Sequence, residues 1–279
     1  MLTRYQKQIY APSIQIMPFR HVRITAKSRK GSSSMRNQSL RKYFPRLMLL
    51  LLFLIVGCLI ELYFLINAHS YQVAGKLIAH VQTQEKVMAL TFDDGPSART
   101  PEILKILAAE DVKATFFLVG SQIEKHPDWA QAILAAGHEI GNHSYTHQRM
   151  VFKSREFYAE EVEKTDALIH KLGFQGKILF RPPYGKKLFG LPFYLAKTQR
   201  TTLMWDLEPE YWPAKRTDPE RLIQETLQNI HPGSVLLLHP MGNYSKSFEA
   251  LPKLLKALKT EGWKMVTARE LLKRGSASP

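Results

Sequence analysis

Beyond residue 85 the chain alternates between short apolar or strictly alternating runs and longer amphipathic ones. The short runs fall near residues 86–92, 114–119, 138–142, 178–181, 201–205, 234–239 and 263–266. In the first of them Val87, Ala89 and Thr91 alternate with Met88, Leu90 and Phe92, the period of a β-strand. Between the runs lie stretches of helical length, among them Pro101–Glu110, Ser154–Leu172, Asp218–Ile230 and Phe248–Thr260. Such alternation predicts parallel strands joined by crossover helices. Seven units within roughly 190 residues fall slightly short of a full eight-stranded barrel.

Upstream the pattern changes. Leu47 to Ile66 is apolar except for Gly57, Cys58 and Glu61. Twenty helical residues at about 1.5 Å each span about 30 Å, the thickness of a hydrocarbon core. Residues 1–46 carry eleven Lys or Arg and no acid, which is +11 of the formal +15. Basic residues before the apolar run and none directly after it place the amino terminus in the cytoplasm and the remainder outside. A nucleic-acid-binding arm is the other use of such a block. The membrane segment accounts for the same charges, and residues 71–279 carry only +5, so no nucleic-acid partner is expected. The expected organisation is a basic region 1–46, a signal-anchor 47–66, a stalk 67–84 and a catalytic domain 85–275. Met35 opens a compact basic leader and is the expected translation start.

Three fates compete for the apolar segment: an uncleaved anchor, cleavage after Ala68-His69-Ser70, and lipidation at Cys58 in Ile55-Val56-Gly57-Cys58. Leu59 to Ile66 stays apolar apart from Glu61, which favours the anchor. Cys58 is the single cysteine, so an intramolecular disulfide is excluded.

Candidate chemistry gathers at the ends of the predicted strands. Asp93-Asp94-Gly95-Pro96 closes the first one, where neighbouring acids can be aimed at different targets. His143 and His147, four apart, are expected on one face of a helical turn. With Asp94 they make two imidazoles and one carboxylate, a set that leaves an open position for water. Nitrogen and oxygen donors without thiolate suit zinc, cobalt or nickel. Arg181-Pro182-Pro183-Tyr184-Gly185, the acidic stretch Trp205 to Trp212, and His239 after Val235-Leu236-Leu237-Leu238 follow in order. Each alone reads equally well as a turn arginine, an acidic loop or a core-capping histidine. Five such clusters at strand ends point to one site.

This set resembles the polysaccharide deacetylase family, the NodB-homology family 4 carbohydrate esterases. The motifs stand as Thr91–Pro96, His143–His147, Arg181–Gly185 and Leu237–His239, and the resemblance covers about residues 85–274. It implies a distorted (β/α)7 TIM-like barrel, here preceded by the single transmembrane helix. It also implies a metal-dependent N-deacetylase in which Asp94, His143 and His147 hold one divalent ion. Asp93 would be the general base, Arg181 would keep it ionised, and His239 would protonate the leaving amine. The backbone N–H of Tyr184 would meet the oxyanion, with Tyr184, Trp212 and Leu237 contacting substrate. Family members commonly carry Asp-x-x-Asp-Trp as a further motif, and alignment on Trp212 puts Glu208 and Tyr211 at its acidic positions. Either His239 then has a less elevated pKa, with a lower-pH acid limb than in Asp-bearing relatives, or Glu210 or Asp206 reaches it through the Pro209 turn.

The implied substrate is an extracellular polysaccharide. A short outward stalk favours N-acetylglucosamine or N-acetylmuramic acid of peptidoglycan over chitin oligomers, poly-N-acetylglucosamine or acetylated xylan. A catalytically impaired glycan-binding relative is the alternative from another class. Oligomeric state is not legible.

Overall fold

A computed structural model describes residues 32–211, 218–242 and 245–275. The chain divides into two compact units, residues 1–56 and 57–279. Helix α1 (Ser32–Asn67) contains Pro45, and its stretch Tyr43–Asn67 is long and apolar enough to cross a membrane, with a mean hydropathy of 2.8. Most of the expected basic region, residues 1–31, lies outside the described residues.

The second unit is α/β. Its strands are β1 (Lys76–Ile78), β2 (Val87–Gly95), β3 (Thr115–Leu118), β4 (Glu139–Asn142), β5 (Thr201–Leu203), β6 (Val235–Leu238) and β7 (Lys264–Val266). The helices are α2 (Thr100–Ala109), α3 (Gly120–Lys125), α4 (Pro127–Ala135), α5 (Arg155–Lys171), α6 (Gly190–Lys197), α7 (Pro219–Asn229), α8 (Ser245–Thr260) and α9 (Ala268–Arg274). All strand pairings are parallel, as the alternation predicts: β2 pairs with β3, β6 and β7, β3 with β4, and β1 with β5. Single bridges Asn142↔Phe180, Phe180↔Thr202 and Leu207↔Leu236 carry the pairing from β4 through β5 to β6.

Both faces of β2 are buried, and its period of two sorts them. Met88, Leu90 and Phe92 pack in a cluster with Ile103 and Leu107 of α2 and Leu254 and Leu258 of α8. Val87 and Ala89 face Phe117, Leu203, Val235 and Leu237 instead. Thr91 and Asp93 continue this second row, so the strand's own pleat delivers Asp93 to the inner side. Helix starts are set locally. The Ser154 hydroxyl accepts from Phe157 N–H before α5, and Thr267 with Glu270 forms a capping box before α9.

Two expectations need correction. The run 178–181 is not a strand but one bridging residue, Phe180; Pro182 and Pro183 have no N–H to continue a ladder. The segment 67–84 is no simple stalk. β1 lies within it, Met204 N–H donates to Ile78 O (2.7 Å), and buried Val81 donates its N–H to Gly233 O (3.0 Å).

That last contact depends on Gly233, whose φ is +86° and whose added Cβ would stand 1.7 Å from Val81 O. Gly233→Ala is expected to cost more than about 1 kcal/mol. A fall in the urea midpoint at unchanged slope would report it, and an unchanged midpoint would contradict this account of the Val81 contact.

Candidate active site

The acids at the end of β2 part company at the backbone. Asp93 stays in the strand row and is 2 % exposed, and its Oδ1 accepts from Arg181 Nη1 at 2.8 Å. Asp94 takes φ +70°, a left-handed conformation that swings its carboxylate the other way. Its Oδ1 lies 3.0 Å from His147 Nε2 and 3.6 Å from His143 Nε2.

Arg181 has no solvent exposure, yet all its charge is answered. Nη1 also donates to Thr91 Oγ1 (2.9 Å), Nε to Leu203 O (3.0 Å) and Nη2 to Met204 O (3.1 Å). The guanidinium lies over the Phe117 ring at 4.1 Å. Burial lowers its pKa, with the Asp93 charge and hydrogen bond opposing. The Arg181 carbonyl takes a second duty, accepting from His143 Nδ1 at 2.8 Å. That bond leaves the Nε2 lone pair of His143 facing Asp94, and burial lowers the His143 pKa, keeping the ring neutral as a metal ligand requires.

The two imidazoles meet with ring centroids 4.9 Å apart, but not on a helical turn. Residues 143–147 form a loop after β4, with left-handed Ser144 (φ +64°) and His147 (φ +59°). Asn142 and Glu161 hold that loop. Asn142 Oδ1 accepts from Ser144 N–H, and Glu161 of α5 accepts from the N–H groups of Tyr145 and Thr146 and from the Thr146 hydroxyl. Nothing in local periodicity announces Glu161, because its role appears only when α5 packs beside the loop.

The donor set fits a cation. Ligand atoms of Asp94, His143 and His147 all lie within 4.8 Å of one another. Tetrahedral zinc with bonds of about 2.1 Å wants donors about 3.4 Å apart. Asp94 Oδ1 is buried and makes no well-aligned hydrogen bond, although His147 Nε2 stands 3.0 Å away. Burial raises the Asp94 pKa, but His147, His143 and His239 outweigh it and hold the carboxyl well below the usual range. An ionised oxygen without a proper donor, facing two imidazole nitrogens, is an environment that a divalent ion would satisfy.

Across the cleft, the support of His239 is Glu210. Its Oε2 lies 2.6 Å from His239 Nδ1, and both its oxygens accept from His239 N–H at 3.1 Å. Burial presses the His239 pKa down, but the Glu210 bond and charge, then Asp93 and Asp94, raise it to about 9. The less elevated pKa expected from Tyr211 is thereby reversed, because a carboxylate one residue earlier reaches in through the Pro209 turn. Glu208, on the same turn, instead accepts from Trp205 Nε1 at 2.7 Å. Burial lifts Glu208 to about 7, despite His239 and the Trp205 bond pulling it down.

These groups open onto a cleft of about 320 Å³, lined also by His69, Arg149, Tyr184, Lys186 and Trp205. Tyr184 holds φ +58° in a 3₁₀ turn, and its ring meets His147 at 4.8 Å between centroids. Leu237 is not at the cleft. Every side chain of the four-residue β6 is buried, and Leu237 pairs with Thr91 inside the core. Trp212 lies outside the described residues, as does the side chain of Tyr211. Arg149 and Lys186 follow the histidine and arginine motifs closely enough for sequence to have flagged them. His69 carries no such signal. It stacks on Trp205 (4.6 Å) in a segment that Lys186 and buried Lys187 grip through Asn67 Oδ1 and Ala68 O.

Comparison with known proteins places this geometry. The family model described as "Polysaccharide deacetylase" matches residues 80–200. A peptidoglycan-N-acetylglucosamine deacetylase of Bacillus cereus is 36% identical over 64% of this chain and 66% of its own length. Another of the same description and organism is 34% identical over 71% of this chain and 94% of its own. Among solved structures, a CE4 family pseudoenzyme from Bacillus anthracis superposes with a TM-score of 0.66 at 32% identity, over 74% of this chain and 72% of that one.

Breaking a buried ion pair from one side typically costs about 3–5 kcal/mol. Arg181→Met should therefore lower stability by that order, while Arg181→Lys, which keeps the charge but cannot make all four donations, should fall between. Chemical denaturation of the two variants beside the parent would check it. Near-parental stability of Arg181→Met would mean the guanidinium is not what holds this region.

Proposed function

Because the chain belongs to the polysaccharide deacetylase family, we propose that it hydrolyses N-acetyl groups of a cell-wall glycan, N-acetylglucosamine or N-acetylmuramic acid of peptidoglycan. The observation that carries this is the convergence of Asp93, Asp94, His143, His147 and His239 on one cleft, with Arg181 buried behind Asp93 and paired to it. The two Bacillus cereus relatives supply the glycan by their descriptions. Chitin oligomers and poly-N-acetylglucosamine present the same amide and are the alternative substrates.

Asp94, His143 and His147 are the residues that would hold the divalent ion, and zinc suits their nitrogen and oxygen donors best. Such an ion lowers the pKa of water from about 15.7 toward about 7 and polarises an acyl oxygen. Asp93, kept ionised by Arg181, takes the proton of the attacking water. By the family resemblance, the Tyr184 N–H would donate to the developing oxyanion. His239 gives its Nε2 proton to the departing nitrogen, so that the C–N bond breaks to acetate and a free amine. Glu210 holds the Nδ1 proton and stabilises the imidazolium before that transfer.

We read the sheet as a distorted (β/α)7 barrel, since the bridges at Phe180 and Leu207 continue the pairing around from β4 to β6. The apolar helix is read as an uncleaved anchor with the catalytic unit on the outer face. Cleavage after Ser70 would remove His69 from the cleft and release the two lysine contacts to Asn67 and Ala68.

Acetate release from acetylated peptidoglycan by the full-length chain, abolished by chelator and restored by zinc, is the expected result. Metal uptake with no acetate from any acetylated glycan would instead favour a binding role. Asp93→Asn should retain metal and lose about 10²–10⁴-fold in rate. Full rate with metal in place would refute Asp93 as base.

The pH dependence has a definite sign. His239 must be protonated to act, so activity falls as pH rises through its pKa, which stands at about 9. A bound dication offsets the Asp94 share of that elevation and leaves the Glu210 share. Glu210→Gln should therefore shift the alkaline limb of kcat to lower pH, while the acid limb stays put. An unmoved alkaline limb would dismiss Glu210 as the partner that sets it.

A further inference from the structure

A second cluster of the same donor type stands apart from the catalytic residues. We propose that His80, Asp206 and His231 form a second site for zinc or a like transition-metal ion, a clip tying the segment after β1 to the crossover between β5 and β6. Each residue presents a ligand atom within 4.8 Å of the others. They come from three places in the chain: just after β1, just after β5, and the turn before β6.

Two of the three side chains, those of His80 and Asp206, are held as ligands usually are, with a second atom fixed by the backbone. His80 Nε2 contacts Pro232 O at 2.9 Å, so it carries the N–H and the Nδ1 lone pair is left for an ion. Asp206 Oδ1 accepts from Val235 N–H at 2.7 Å, while Oδ2 faces His231 Nε2 at 3.2 Å. His231 is held at its backbone, where its N–H donates to Ser234 Oγ (3.2 Å) and its carbonyl accepts from Ser234 N–H (3.0 Å). The two rings lie 4.8 Å apart at 54°, sharing one carboxylate rather than bonding to each other.

Access and capacity also suit an exchangeable ion. The His231 side chain is 54% exposed and Asp206 17%, so solvent reaches the cluster from one side and the His231 ring can close on an ion. Three protein donors leave a fourth position for water or for a group from another molecule. Asp206 lies next to Trp205, and the same crossover carries Glu208 and Glu210. Filling the site would therefore stiffen the turn that supports His239 without touching the reacting atoms.

The test is zinc stoichiometry on the full-length chain in detergent, dialysed against micromolar zinc and read by atomic emission. Wild type should hold two equivalents. Asp94→Asn should keep one, and His80→Ala/His231→Ala should keep the other together with its deacetylase rate. In the Asp94→Asn background zinc should raise the thermal midpoint, and the rise should vanish when His231→Ala is added. A single equivalent in wild type would overturn the proposal. So would a second equivalent that survives in the His80→Ala/His231→Ala variant, since it would then sit elsewhere. Neither outcome bears on whether the Asp94 centre hydrolyses acetamides.

Discussion

The buried pair of Arg181 and Asp93 is the constraint from which the rest of the site follows. A guanidinium without solvent exposure is costly unless every donor is engaged and its charge is met. Here the donors reach Thr91, Asp93, Leu203 and Met204, so one side chain ties β2 to β5. The same residue's carbonyl fixes the tautomer of His143. Asp93 and a candidate metal ligand thus share one support. Any shift of Arg181 would move both, which explains why so large a cation is retained where an apolar residue would fill the space more cheaply.

Strain is concentrated around that support. Asp94, Ser144, His147 and Tyr184 all hold positive φ, and none is glycine. Such conformations persist only where the surroundings over-determine them. At Asp94 the benefit is visible: a regular strand would send it to the helix-facing side with Phe92, while φ +70° brings it to the histidines. At Ser144 and His147 the reversals let two imidazoles converge from a loop. Glu161 and Asn142 hold that loop by accepting its N–H groups, and Asn142 is anchored in turn to Asp166 (2.6 Å).

Sequence made much of this legible, and the failures share one cause. Strand-and-helix alternation locates β2, β3, β4, β6 and β7 closely, because each is a short and largely buried run between longer amphipathic stretches. The acids at 93 and 94, the histidines, Arg181 and His239 stand out because each follows such a run. What is not legible is whatever depends on pairs distant in the chain. β1 is short and half-buried, so only its pairing with β5 identifies it. Glu161 looks like any acid on a helix, His69 like part of a linker, and Leu237 like a neighbour of His239 rather than a core residue on a fully buried strand. The helical spacing of His143 and His147 was the right distance for the wrong backbone. Four residues of loop with two left-handed turns bring two rings as close as one helical turn does.

The acidic turn after β5 carries the sharpest physical lesson. Glu208 and Glu210 are two residues apart, both mostly buried, and they meet different partners. Glu210 accepts from the backbone N–H of His239 and meets its Nδ1. Glu208 accepts from the neutral indole N–H of Trp205, and burial lifts it to about 7 against the pull of His239 and that bond. The identity of a side chain at an aligned position matters less than which carboxylate the turn can bring to the imidazole. With an extra methylene and the bend at Pro209, Glu210, one residue before the aligned position, reaches the imidazole.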